Sequence, residues 1–142
     1  MSFVPPKPLE PPPEDLRGAT VLVVDDERVW RVILETDLRM LGYQVALAQD
    51  GNEALSRIAE QRVEVAIIDL MLPEPMDGMS LLSELRASGE GIPVIFYTAQ
   101  TDLPLQARDP GVLAYLSKAA DRADLYALLP AAIRRWRSRH PL

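Results

Sequence analysis

The chain has 142 residues, a formal net charge of -6, 48% hydrophobic and 25% charged residues, no cysteine and a single histidine, His140. This is the size and balance of one soluble globular domain with short extensions, at roughly 100–200 residues per domain. The missing cysteines exclude disulfides, thiolate chemistry and Cys-ligated zinc, the lone histidine excludes a His-based triad or metal cluster, and the acidic balance disfavours direct nucleic-acid binding.

Six of the nine residues from Pro5 to Pro13 are proline. Such a stretch lacks backbone donors and favours an extended polyproline form, so residues 1–17 are read as a Pro-rich N-terminal arm or linker. The start lacks the basic-then-apolar order of a secretion signal, and no run approaches the roughly 18 apolar residues of a membrane span. No membrane association is expected, and a cytoplasmic location is.

From Gly18 the text changes. Thr20 to Val24 is an apolar, β-branched run that suits a strand buried on both faces. Asp25-Asp26-Glu27 ends it, and carboxylates there suit the positive end of a following helix. Trp30, Leu34, Leu38 and Leu41 repeat at helical spacing until Gly42 stops the helix. Tyr43 to Ala48 predicts a second strand, Gly51 to Gln61 a second helix, and Val63 to Ile68 a third strand that delivers Asp69 at its carboxyl end. Met79 to Ala87 predicts a third helix. Ile92 to Tyr97 is a fourth strand delivering Thr98, and Val112 to Leu116 a fifth, with Lys118 just beyond it. A last helix is expected from about Asp121 to Arg137, with Leu125, Leu128, Leu129, Ala132 and Trp136 on one face. Residues 18–138 thus read as one domain, with 139–142 a C-terminal tail. The alternation of strand and helix predicts an α/β fold, a doubly wound five-stranded parallel sheet with five helices.

In such sheets reactive groups gather at the carboxyl ends of the strands, near the point where strand order reverses. Asp25, Asp26, Asp69, Thr98 and Lys118 all fall at such ends. Each alone has a bland explanation: an Asp or Thr after a strand is more often a helix cap, and a Lys there is usually solvated. The joint pattern on four strands carries the argument. Converging carboxylates repel one another, and hard oxygen donors without sulfur or imidazole point to Mg2+ as the relieving cation. A carboxylate can act as a nucleophile and form an acyl phosphate, while a lysine and a hydroxyl suit phosphoryl oxygens.

At these residues the sequence resembles the CheY-like receiver family of two-component signalling. The matching text is Val-Leu-Val-Val-Asp25-Asp26-Glu27, then Asp69-Leu-Met-Leu-Pro73 followed by Met76-Asp77-Gly78, then Tyr97-Thr98-Ala99, and finally Gly111 to Lys118. The resemblance implies strand order 2-1-3-4-5 and a regulatory phosphoswitch rather than an enzyme in the usual sense, with slow autodephosphorylation. It makes Asp69 the phosphoacceptor, loaded by a sensor histidine kinase or histidine phosphotransfer protein. It makes Asp25, Asp26, Asp69 and the backbone carbonyl of Met71 the Mg2+ ligands, and Thr98 and Lys118 the phosphoryl contacts. Thr98 and Tyr115 become the switch pair that signals to a downstream protein. The partner's identity stays open, as does a homodimer.

Four departures bear on these expectations. Ala119 follows Lys118 where the family usually has proline, so a less firmly placed lysine is expected. The loop around Pro73 to Met76 is one residue longer than usual. The segment from Thr98 to Tyr115 is shorter and contains Pro104 and Pro110, so a short or irregular fourth helix is expected. Pro130 should kink the last helix. The arginines at 134, 135, 137 and 139 are read as cations completing a helix C-terminus. Two other functions compete: a phosphorylation-independent interaction module, and a Mg2+-dependent phosphohydrolase. The latter is weakened because the Asp-x-Asp nucleophile text of one such class is absent around Asp69.

Overall fold

Five parallel strands form one sheet in the order β2-β1-β3-β4-β5. The computed structural model describes residues 5–102 and 109–141. The strands are β1 (Thr20–Val24), β2 (Gln44–Ala48), β3 (Val65–Ile68), β4 (Val94–Thr98) and β5 (Val112–Ser117), and the helices are α1 (Arg28–Leu41), α2 (Gly51–Glu60), α3 (Gly78–Ala87), α4 (Arg122–Tyr126) and α5 (Leu129–Arg139).

Successive side chains on a strand point to opposite faces, and here both faces are covered. Val21, Val23, Val65, Ile67, Ile95 and Tyr97 pack under α1, α4 and α5. Leu22, Val24, Ala66, Ile68, Val94 and Phe96 pack under α2 and α3. The helix ends follow their local chemistry. Asp50, Asp77 and Asp121 cap α2, α3 and α4 by accepting the N–H groups of Glu53, Ser80 and Ala123. Gly42 closes α1 at a φ of 100°, a left-handed conformation that favours glycine. β4 starts at Val94, after Pro93, whose nitrogen has no proton for the ladder.

Two expectations about helices need revision. The last helix is broken before Pro130, into α4 and α5, rather than kinked in mid-course. The proline ring would meet the carbonyl four residues back, that of Tyr126, and α4 ends there; Pro130 then sits in the first turn of α5, where a missing N–H costs nothing. Between β4 and β5 no helix stands among the described residues, and the expected short fourth helix falls mostly on residues 103–108, outside them. The count of five helices therefore rests on the division of the last one.

The proline-rich segment lies against the body. Leu16, in a short turn of 3-10 helix over Glu14–Leu16, is 1% exposed and belongs to the core under α1 and α5. Further out, the Lys7 backbone N–H donates to Asp121 and its ammonium to Asp124, both at 2.7 Å. Among the described residues no helix is long and apolar enough to cross a membrane.

Candidate functional site

Strand order reverses between β1 and β3, and their register sets the geometry there. Val24 pairs with Ile68, so the next residues, Asp25 and Asp69, emerge side by side. Both are nearly buried, at 2% and 3% exposure. The side-chain oxygens of Asp25, Asp26, Glu27 and Asp69 include a set that lie within 4.8 Å of one another. Asp26 and Glu27 are exposed, so the cluster opens to solvent on their side.

Lys118 answers this charge. Its ammonium donates to Asp25 Oδ2 and to Asp69 Oδ2, each at 2.8 Å, and lies 3.8 Å from Glu27 Oε1. Burial alone would lower the Lys118 pKa, but the hydrogen bonds and charges of Asp25 and Asp69 outweigh it and hold the ammonium above the usual lysine range. For Asp25 burial wins: it pushes the carboxyl up, against the pull of Lys118 and of the Glu27 amide. The remaining oxygens are engaged by backbone. Asp25 Oδ1 accepts the Glu27 N–H at 2.9 Å, and Asp69 Oδ1 accepts the Met71 N–H at 3.0 Å.

Thr98 ends β4 fully buried, its Oγ1 accepting the Gln100 N–H at 3.2 Å. Its carbonyl accepts the Lys118 N–H at 2.8 Å, which ties the two strand ends together. Tyr115 lies partly buried on β5 with its ring stacked on Phe96, centroids 5.1 Å apart. The peptide between Lys118 and Ala119 is trans. Even without the proline, the Lys118 side chain is only 5% exposed and bridges both carboxylates.

Asp25, Asp26, Asp69 and Lys118 therefore meet at one pocket, with Thr98 at the adjoining strand end and Met71 beside Asp69. Glu27 joins the carboxylates, although in the sequence it stood only in the family motif and as a carboxylate at the start of the following helix. Trp30, read from its spacing as a core residue of α1, lies with its ring 5.0 Å from the Lys118 ammonium.

The rim beside Asp69 leaves no space at Gly78. A Cβ there would stand 2.6 Å from the Asp69 carbonyl oxygen and 2.7 Å from Leu70 Cα. Backbone cannot swing away as a side chain can, so Gly78→Ala is expected to cost about 1–3 kcal/mol and to displace the Asp69 loop. Urea unfolding together with the amide shifts of Asp69 and Leu70 measures both; a fully stable variant with unmoved shifts would refute the tight contact.

Comparison with known proteins agrees with this fold. The family model described as response regulator receiver domain matches residues 21–130. Response regulator MprA of Mycolicibacterium vanbaalenii is 38% identical over 117 residues, covering 81% of this chain and 50% of the relative. The chain thus spans about half the length of the curated relatives it matches. The signal receiver domain of an HD domain-containing protein from Pseudomonas fluorescens Pf-5 superposes with a TM-score of 0.78 at 30% identity, over 86% of this chain and 99% of that one. Response regulator TrrA of Thermotoga maritima, solved in complex with Mg2+–BeF, shares the fold with a TM-score of 0.72 at 24% identity, over 80% and 98% of the two chains. With most of its length matched by that family model, and with an acidic pocket where the strand order reverses, this chain belongs to the response regulator receiver domain family.

Proposed function

We propose that residues 18–138 form a Mg2+-dependent phosphoswitch. In this scheme Asp69 accepts a phosphoryl group from a phosphohistidine on a sensor histidine kinase or histidine phosphotransfer protein, and the domain then signals to a downstream protein partner. The observation that carries the proposal is the pairing of Asp69 with Lys118 inside a cluster of three further carboxylates.

The chemistry follows from those groups. Asp69 Oδ2, released by Lys118, attacks phosphorus, the new O–P bond forms as the N–P bond of the phosphohistidine breaks, and the imidazole leaves with the electron pair and takes a proton. Lys118 exchanges an Asp69 oxygen for a phosphoryl oxygen and so neutralises charge without leaving the pocket. The Met71 amide holds the other carboxylate oxygen and so orients Asp69. Thr98, released from the Gln100 amide, supplies a hydroxyl to the phosphoryl group, and Tyr115 follows its movement. The donor set is all oxygen, which fits Mg2+. Asp25, Asp26, Asp69 and the Met71 carbonyl would hold it, and when bound it offsets the charge of the carboxylates and the incoming phosphate.

Mg2+ is expected to raise the melting temperature, because it binds the folded state and relieves repulsion, and Asp26→Asn is expected to weaken that effect. Beryllofluoride added with Mg2+ is expected to shift the backbone resonances of Thr98 and Tyr115, and less so in Thr98→Ala. A protein indifferent to millimolar Mg2+ would contradict the metal site. Bound beryllofluoride with shifts confined to the pocket would favour a phosphorylation-independent interaction module.

A further inference from the structure

We infer that Trp30 is a positioning residue for Lys118, its indole face holding the ammonium while the anionic partners of that ammonium change. The inference rests on the phosphoswitch proposed above and concerns the same pocket. An ammonium has three protons to place. Two of them go to Asp25 and Asp69, and Glu27, at 3.8 Å, lies beyond hydrogen-bonding distance. The Trp30 ring, 5.0 Å from the Lys118 nitrogen, is within the range at which the negative face of an indole attracts a cation.

Two features of this chain give that contact weight. Lysine reaches its site on a flexible four-carbon stem, and the residue after it is Ala119, which does not fix the backbone as a proline ring would. Trp30, by contrast, is held firmly. It stands in the first turn of α1, its backbone N–H donating to the Glu27 carbonyl at 3.1 Å. Its ring meets Tyr97 edge to face, with centroids 5.5 Å apart and planes at 87°. Tyr97 is itself 1% exposed in β4, directly before Thr98. A core side chain therefore buttresses the ring, and the ring faces the lysine.

During transfer the bond from Lys118 to the Asp69 carboxylate must be exchanged for one to a phosphoryl oxygen. The ring contact needs no exchange. It keeps the nitrogen near the developing charge through that step, and positioning of this kind is a main source of rate in phosphoryl transfer. Mg2+ would be held by the carboxylates and the Met71 carbonyl, none of which touches the ring, so loss of the ring should weaken phosphoryl-analogue binding while sparing the metal.

The test has two readouts on the full chain, the first needing no ligand. In carbon–proton NMR spectra the Lys118 ε-methylene of wild type is expected upfield, shielded by the ring; Trp30→Phe should keep much of the shift and Trp30→Leu should lose it. In titrations with beryllofluoride at saturating Mg2+, Trp30→Leu is expected to bind about tenfold more weakly, Trp30→Phe to recover most of the loss, and Mg2+ affinity to stay within about twofold. An unshifted ε-methylene in wild type would overturn the inference even if the leucine variant failed to fold. So would a folded leucine variant that binds beryllofluoride as wild type does. A wild type that shows the shift but binds no beryllofluoride would support the placement of Lys118 and contradict the phosphoswitch itself.

Discussion

Replacing Lys118 by methionine is expected to lower the stability of the metal-free protein by about 3–5 kcal/mol at neutral pH, the usual cost of leaving buried charge without its partner. Methionine keeps much of the stem's volume, so the loss reports charge rather than a cavity. Asp25 and Asp69 would face each other almost without solvent, both bonded to Lys118 in the native pocket. The pH dependence has a definite sign. The Lys118 pKa is raised in the folded state, so its contribution is complete below the ordinary lysine pKa and is lost only as pH rises through the folded value. The Asp25 pKa is also raised, and for a carboxylate this means that the cost of its charge is relieved as pH falls through its folded pKa. Without Lys118 that pKa moves higher still. The stability gap between wild type and Lys118→Met should therefore narrow as pH falls from neutral toward the carboxylate range. Urea unfolding at several pH values tests this, and a gap that is small or independent of pH would show that the lysine does not offset the carboxylates.

Asp37→Ala should cost about 2–3 kcal/mol, although the residue stands well away from the pocket in sequence. Asp37 lies on the buried side of α1, and its Oδ2 accepts both Arg122 Nε at 2.8 Å and the Tyr126 hydroxyl at 2.6 Å. Burial and this bond hold the Tyr126 hydroxyl protonated, well above its ordinary pKa. Arg122 is 42% exposed and can rehydrate when the carboxylate goes, but the Tyr126 hydroxyl is buried and cannot. Helix α4 has five residues, too few to be stable alone, and these bonds attach it to α1 just beyond Lys118. Tyr126→Phe, which removes the stranded hydroxyl, should recover part of the loss in the double variant. Strict additivity of the two substitutions in urea unfolding would refute the coupling.

The strand ends were legible in the sequence because parallel strands, buried on both faces, read as unbroken apolar runs, and the first polar residue after each run marks its carboxyl end. Val24 followed by Asp25 and Ile68 followed by Asp69 are the clearest cases, and their side-by-side placement is the structural core of the pocket. Contacts between distant elements were not legible. The spacing of Trp30 with Leu34 and Leu38 placed it on the apolar stripe of α1, and it does pack there, but spacing holds no record of a lysine arriving from β5. Asp37 sits within the stripe of Leu34, Leu38 and Leu41, but the spacing of the leucines says nothing of it, and its partners lie 85 and 89 residues on. Composition assigned Leu16 to a proline-rich arm, yet its side chain fills the core, because a single apolar residue can anchor a segment whose average says linker. Pro130 foretold a disturbance, but not that the helix would end four residues earlier and restart.

Incubation with acetyl phosphate and Mg2+, read by intact mass and peptide mapping, tests the phosphoswitch most directly. Wild type is expected to gain a single hydroxylamine-labile phosphoryl group, on the peptide that contains Asp69, and Asp69→Asn to gain none. An unlabelled wild type, or an Asp69→Asn variant labelled to the same extent, would contradict Asp69 as the phosphate acceptor.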